Sequence, residues 1–153
     1  MNKHFAARRV AHLLGYGGLI PFIALSIGCA LVHPDMLPVL VGGQLSYAVA
    51  ILSFLGGVHW GATVLCAELS SQRTKLALLW GVTPSLVAVF SAQLLLGIGF
   101  AFMTAAFVAA YLVDKRLYAW YAMPDWFLTL RFRLTCVVVA SLLLTFVAVN
   151  LRS

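Results

Sequence analysis

Charge is the first thing this sequence lacks. Of its 153 residues only 9% are Asp, Glu, Lys or Arg, and 63% are hydrophobic. A soluble domain carries about a quarter charged residues and about half apolar ones. The chain has too little polar surface to cover a water-soluble globule, which excludes a soluble enzyme, a nucleic-acid-binding domain and a disordered tail. Its mean hydropathy of +1.04 fits an all-α integral membrane protein instead. Cysteine is scarce as well: Cys29, Cys66 and Cys136 are odd in number and contain no CxxC pair. All three lie in or beside apolar runs, where a free thiol behaves as a small hydrophobe, so no disulfide framework and no zinc site is expected. Acid is scarce too. Asp35, Glu68, Asp114 and Asp125 are the four acidic residues, and each stands at the edge of an apolar run. That placement argues against a carboxylate-driven pump. Asp114 reads as a solvated partner of its neighbours Lys115 and Arg116.

The apolar runs themselves set the fold. A bilayer core about 30 Å thick needs about 20 helical residues. The first run, 13–32, exceeds the ~7–15 residues of a signal-peptide core and reads as a retained span despite the basic residues before it. The second, 42–67, ends at Glu68, Arg73 and Lys75. From Leu76 to Val113 no residue is charged. As one helix this stretch would be about 57 Å long, roughly twice the core thickness, so it must turn back. Gly97-Ile98-Gly99 suggests the turn, giving spans at 76–93 and 99–113. A fifth span covers 134–151. Residues 1–153 thus predict a single polytopic domain, a compact bundle of five transmembrane helices. The stretch 114–133, basic and aromatic with Pro124 in its middle, predicts a short interfacial segment before the last span.

Cation placement gives the orientation. With the N-terminus cytoplasmic, Lys3, Arg8, Arg9, Arg73, Lys75, Lys115, Arg116, Arg131 and Arg133 fall inside and only Arg152 falls outside. The net charge of +6 therefore reads as topology rather than as a polyanion site.

The second span carries the polar information. Ser53, Gly57 and Gly61 recur every four residues and form a small-residue face for helix packing, which Ala101, Ala105 and Ala109 of the fourth span are placed to meet. His59 stands on a different face with Gly56, Thr63 and Cys66. Two faces wanting protein neighbours predict a central helix ringed by the others. An ionisable group inside a membrane is a functional candidate by default. Its plainer role is a hydrogen bond across helices, to Thr63, Ser85 or a freed carbonyl. Haem or metal ligation is disfavoured, since no second histidine shares its depth. Pro21 and Pro84 interrupt spans one and three, and Thr83 and Ser85 flank the latter. Gln44 and Tyr47 read as interfacial.

The stretch Ile51-Leu52-Ser53-Phe54-Leu55-Gly56-Gly57-Val58-His59-Trp60-Gly61 resembles the signature of domain-of-unknown-function family 3429, the family of transmembrane protein 69. Leu14-Gly15-Tyr16-Gly17-Gly18-Leu19-Ile20-Pro21-Phe22 and Thr83-Pro84-Ser85-Leu86 resemble other pieces of that family, and Trp126 with Leu130-Arg131 and Leu134-Thr135 resembles its closing segment. The resemblance implies a small multi-pass protein of bacterial inner membranes or mitochondria, without an assigned activity or catalytic residue. The absence of a long Arg/Ser-rich presequence favours the bacterial inner membrane.

Three functions follow from this reading. The first is a non-enzymatic assembly or scaffold factor, resting on the packing stripes, the short loops and the lack of a Ser-His-acid set at one depth. It expects another membrane protein, or a second copy as a dimer, as partner. The second is a lipid- or isoprenoid-binding protein or enzyme, with an inner-leaflet pocket of His59, Trp60, Gly56 and Thr63, and with Arg131 and Arg133 taking an anionic head group. The third is a small transporter. None calls for a cofactor, a metal or nucleic acid, and membrane lipids are partners in all.

Overall fold

A computed structural model describes residues 3–151. Helices α1 (Lys3–Gly17) and α2 (Ile20–Leu31) together make the first span. They are offset at Gly18-Leu19, because Pro21 enters the first turn of α2 without an N–H to continue the ladder. The Tyr47 hydroxyl donates to the Gly18 carbonyl at 2.9 Å, so the break is satisfied from the neighbouring helix. A 3-10 turn, Pro34–Met36, leads into α3 (Leu37–Leu65). Helix α4 (Ser71–Gln93) begins at Ser70, whose hydroxyl accepts from the Arg73 N–H, and runs through Pro84 without a break. Thr83 and Ser85 donate to the carbonyls of Leu79 and Val82, not to the Trp80 carbonyl that Pro84 leaves free. Helices α5 (Leu96–Trp120) and α6 (Asp125–Asn150) complete the chain.

Five stretches are long and apolar enough to cross a membrane: Arg8–Leu31, Pro34–Leu65, Ser71–Gln93, Gly97–Trp120 and Asp125–Asn150. Their outer surface is apolar too, with Leu13, Ile20, Phe54, Leu79 and Leu86 exposed, as a lipid-facing surface must be. The protein is a multi-pass, all-helical membrane protein.

Each helix packs on the next, and α6 returns to α2, so the spans close into a ring in chain order. Phe22, Leu52, Phe100, Met103, Phe107 and Leu142 fill its middle. Helix α3 is therefore one member of the ring and not a hub surrounded by the others. It meets α4 most extensively. The reason is a glycine pair one register away from the expected stripe. A Cβ on Gly56 would run into the backbone of Gly81, and a Cβ on Gly81 would run into the Trp60 ring. Gly57 and Gly61 have nothing within 4 Å of where their Cβ would be. They point outward, Ser53 is half-buried, and Ala101, Ala105 and Ala109 are exposed. Helix packing in this chain thus uses Gly56 and Gly81, which touch backbone to backbone, rather than the more regular Ser53/Gly57/Gly61 series.

The turns are tighter than the charges suggest. The α4–α5 hairpin needs only Leu94 and Leu95. Gly97 and Gly99 lie in the first turn of α5, where Gly99 passes too close to the Ser91 carbonyl to carry a side chain. The basic-aromatic stretch 114–133 is divided between the end of α5, a turn at Tyr121–Pro124 with Ala122 at φ 49°, and the start of α6. Helix α5 runs two turns past Val113 because Asp114 faces the bundle and does not end the helix.

Gln44 is fully buried, not interfacial. Its side-chain oxygen accepts from Thr145, and its amide reaches the Ser141 carbonyl, tying α3 to α6. Arg152 lies outside the described residues, as does the side chain of Lys3.

Candidate functional site

Three helices bring their charged and polar residues together in the half of the ring that holds the α5–α6 turn. Asp114 of α5 is only 1% exposed, and His59 of α3 is 0% exposed. His59 Nε2 lies 2.7 Å from Asp114 Oδ1. Arg131 of α6 donates to the other carboxylate oxygen from Nε at 3.1 Å and from Nη2 at 2.6 Å. A carboxylate only accepts, so His59 donates through Nε2–H. Its Nδ1 is buried and has no hydrogen-bond partner.

This corrects two expectations. Asp114 is not a solvated partner of Lys115 and Arg116; those two bases are exposed while Asp114 faces inward. A carboxylate does lie within the spanning region, and His59 bonds to it rather than to Thr63, Ser85 or a backbone carbonyl. The physical reason is mutual. Alone, either Asp114 or Arg131 would be costly away from water; together they neutralise each other and leave few donors or acceptors unused.

Aromatic rings enclose the cluster. Tyr118, one turn beyond Asp114, stacks on the His59 ring with centroids 5.3 Å apart. Tyr121 lies 5.9 Å from His59 and shares a 2.9 Å hydrogen bond with Thr63. Burial raises the Tyr121 phenol above its ordinary value, and the bond to Thr63 opposes that rise. The Tyr118 hydroxyl lies beside Arg131 and Asp114 but makes no hydrogen bond of good geometry, and the Thr135 hydroxyl, one turn along α6 from Arg131, is also buried without a partner.

Next to the cluster is a cavity of about 390 Å³. It lies between α1, α2, α3 and α6, and Phe107 and Tyr118 of α5 complete its wall. Its lining is almost wholly apolar and rich in rings, including Phe22, Phe54 and Phe127. Its polar members are Tyr118, Arg131 and Thr135. Leu14 on α1 and Phe54 on α3 are strongly exposed lining residues, so the cavity opens sideways between those two helices, onto the surface that faces lipid.

The sequence-predicted residues therefore separate. His59 and Arg131 share the charged cluster, and Arg131 also reaches the cavity. Thr63 is tied to Tyr121, beside the cluster. Gly56 serves the α3–α4 crossing. Trp60 covers Gly81 from outside, is 46% exposed, and donates from its indole N–H to the Leu78 carbonyl at 3.1 Å. Arg133 is exposed and lines neither the cluster nor the cavity. Asp114, Tyr118, Tyr121 and Thr135 were not expected as site residues. One signal was available: Asp114 and Tyr118 are four residues apart and share a helix face if α5 continues past Val113. Among the described residues, no group of His, Cys, Asp and Glu is placed to hold a metal ion.

A family model described as a protein of unknown function, DUF3429, matches residues 7–147. The chain belongs to that family. The matched DUF3429 region takes in α3, the Asp114 and Arg131 helices and every wall of the cavity. No solved structure matches the chain.

Proposed function

We propose that this protein is a lipid-binding protein of a bacterial inner membrane, with its N-terminus cytoplasmic and its C-terminus outside, which holds one amphipathic molecule in the cavity between α1, α3 and α6. The observation that carries the reading is the cavity itself. It opens to lipid, its wall is apolar, and that wall includes Tyr118 and Thr135, whose buried hydroxyls make no hydrogen bond of good geometry within the protein. Ligand sites commonly have volumes of about 300–1,000 Å³ with a few placed polar groups, and this one fits that description. Buried hydroxyls without partners are unfavourable, so an occupant that bonds them is stabilised in turn. The charge asymmetry supports the orientation: the described cations stand near the start of α1 and α6, near the end of α5 and at the α3–α4 turn, one end of the ring.

The test is native mass spectrometry of the full chain extracted from its own membranes. The expected spectrum shows one retained lipid-sized adduct, lost in Val58→Trp, which fills the cavity from α3, with an unchanged melting temperature. A wild-type spectrum free of adducts contradicts the reading.

The assembly-factor reading draws on another face. Gly57 and Gly61 leave an open strip on α3 that a helix of a second protein, or of a second copy, can approach closely. It expects Gly57→Leu to abolish co-purification of a membrane partner, or dimer formation, without affecting the retained lipid.

A further inference from the structure

Resting on the lipid-binding reading, we infer that the occupant of the cavity is an uncharged lipid whose head is a planar, carbonyl-bearing ring: a quinone-type molecule with an apolar tail. The argument starts from charge. Among the described residues Arg131 is the one cation that lines the cavity, and Asp114 already accepts from its Nε and Nη2 and balances its charge. The other basic residue expected to hold an anionic head, Arg133, is exposed and lies elsewhere. An anionic head group placed here would meet a carboxylate already paired and find no free positive charge to offset its desolvation.

What the site offers is hydrogen-bond donation. Arg131 has only donors, so a phenol beside it turns its oxygen toward the guanidinium and keeps its own proton for another acceptor. Thr135 carries a second hydroxyl with no protein partner. Both oxygens lie just behind the cavity surface, and a small turn of each side chain toward an occupant presents two donors, which suit carbonyl oxygens.

The third element is shape. Phe22, Phe54, Phe107, Tyr118 and Phe127 put five aromatic rings around one cavity. Rings pack on a flat ring by offset or edge contacts, which an acyl chain or a glycerol backbone does not reproduce. The side opening between Leu14 and Phe54 leaves room for a tail to extend into the bilayer.

The experiment uses the full chain in detergent micelles, with decylubiquinone as probe and phosphatidylglycerol and dioleoylglycerol as competitors, each bound species weighed by native mass spectrometry. At equal concentrations the quinone adduct should exceed either competitor at least fivefold. Tyr118→Phe keeps the ring that stacks on His59, and Thr135→Val keeps the side-chain shape. Each should lower quinone occupancy about fivefold or more, the scale of one hydrogen bond, with competitor binding unaltered. Melting temperatures are recorded for both, and if one variant unfolds the other decides. Preference for either competitor, or quinone occupancy indifferent to both hydroxyls, overturns the quinone assignment. In that case the lipid-binding reading survives if Val58→Trp still empties the cavity. If none of the three probes binds, both readings fall together.

Discussion

Asp114 is the residue on which the polar interior turns. It accepts from His59 on one oxygen and from Arg131 on the other, almost without access to solvent. Removing one member of a buried ion pair strands the other, a loss of about 3–5 kcal/mol, whereas removing both members together is far less costly. Asp114→Asn should therefore destabilise the protein by about that amount, and the double variant Asp114→Asn with Arg131→Gln by less than the sum of the single changes. Thermal unfolding in detergent, run as a double-mutant cycle, measures the coupling. Strictly additive losses would show that the pair is not energetically joined. His59 is less critical to the fold, because Asp114 keeps Arg131 when the imidazole is gone.

At the scale of the helices, the decisive feature is how closely α3 and α4 approach. Gly56 meets the Gly81 backbone with no room for a methyl group, whereas Gly57, its neighbour in sequence, has open space. Overpacking a tight contact costs about 1–3 kcal/mol. Gly56→Ala should lower the melting temperature clearly, and Gly57→Ala should leave it nearly unchanged. Equal melting temperatures would remove this account of the crossing. The contrast shows where sequence reading reaches its limit. Helix existence was legible, since run length over an uncharged stretch is a property of the chain alone, and the return at residues 76–113 follows from bilayer thickness. Which glycine touches a neighbour depends on helix rotation, and Gly57-xxx-Gly61 is the more regular pattern but faces outward. Helix ends failed for a related reason. Asp114 and Arg133 bound the expected loop because a charge ordinarily stops a span, yet Asp114 is cancelled by Arg131 across α5 and α6 and Arg133 is exposed, so both helices take in these residues. His59 was legible as a buried imidazole, but its partner was hidden behind that same assumption. The cavity had no local signal, because it is formed by five helices drawn from the whole chain.

For the whole molecule, the ring of five spans and the one-sided distribution of cations make a single statement about the membrane. An odd number of crossings places the termini in different compartments. Reporter tags that are active on only one side of the membrane, fused in turn to each end, should give opposite results. Matching results would require four or six crossings and would overturn the orientation we propose, with the Asp114 cluster toward the cytoplasm. The ring encloses a packed core over most of its height. The cavity opens between α1 and α3, beside the break in the first span at Gly18-Leu19. We read the break at Pro21, the cavity and the two hydroxyls in its wall as one arrangement, the proposed binding site for a molecule dissolved in the bilayer. An experimental density map of the full chain in lipid nanodiscs tests this most directly. The account predicts one elongated, non-protein density entering between Leu14 and Phe54 and ending against Tyr118 and Thr135. A cavity closed by its own side chains, with both hydroxyls bonded to protein, would contradict it.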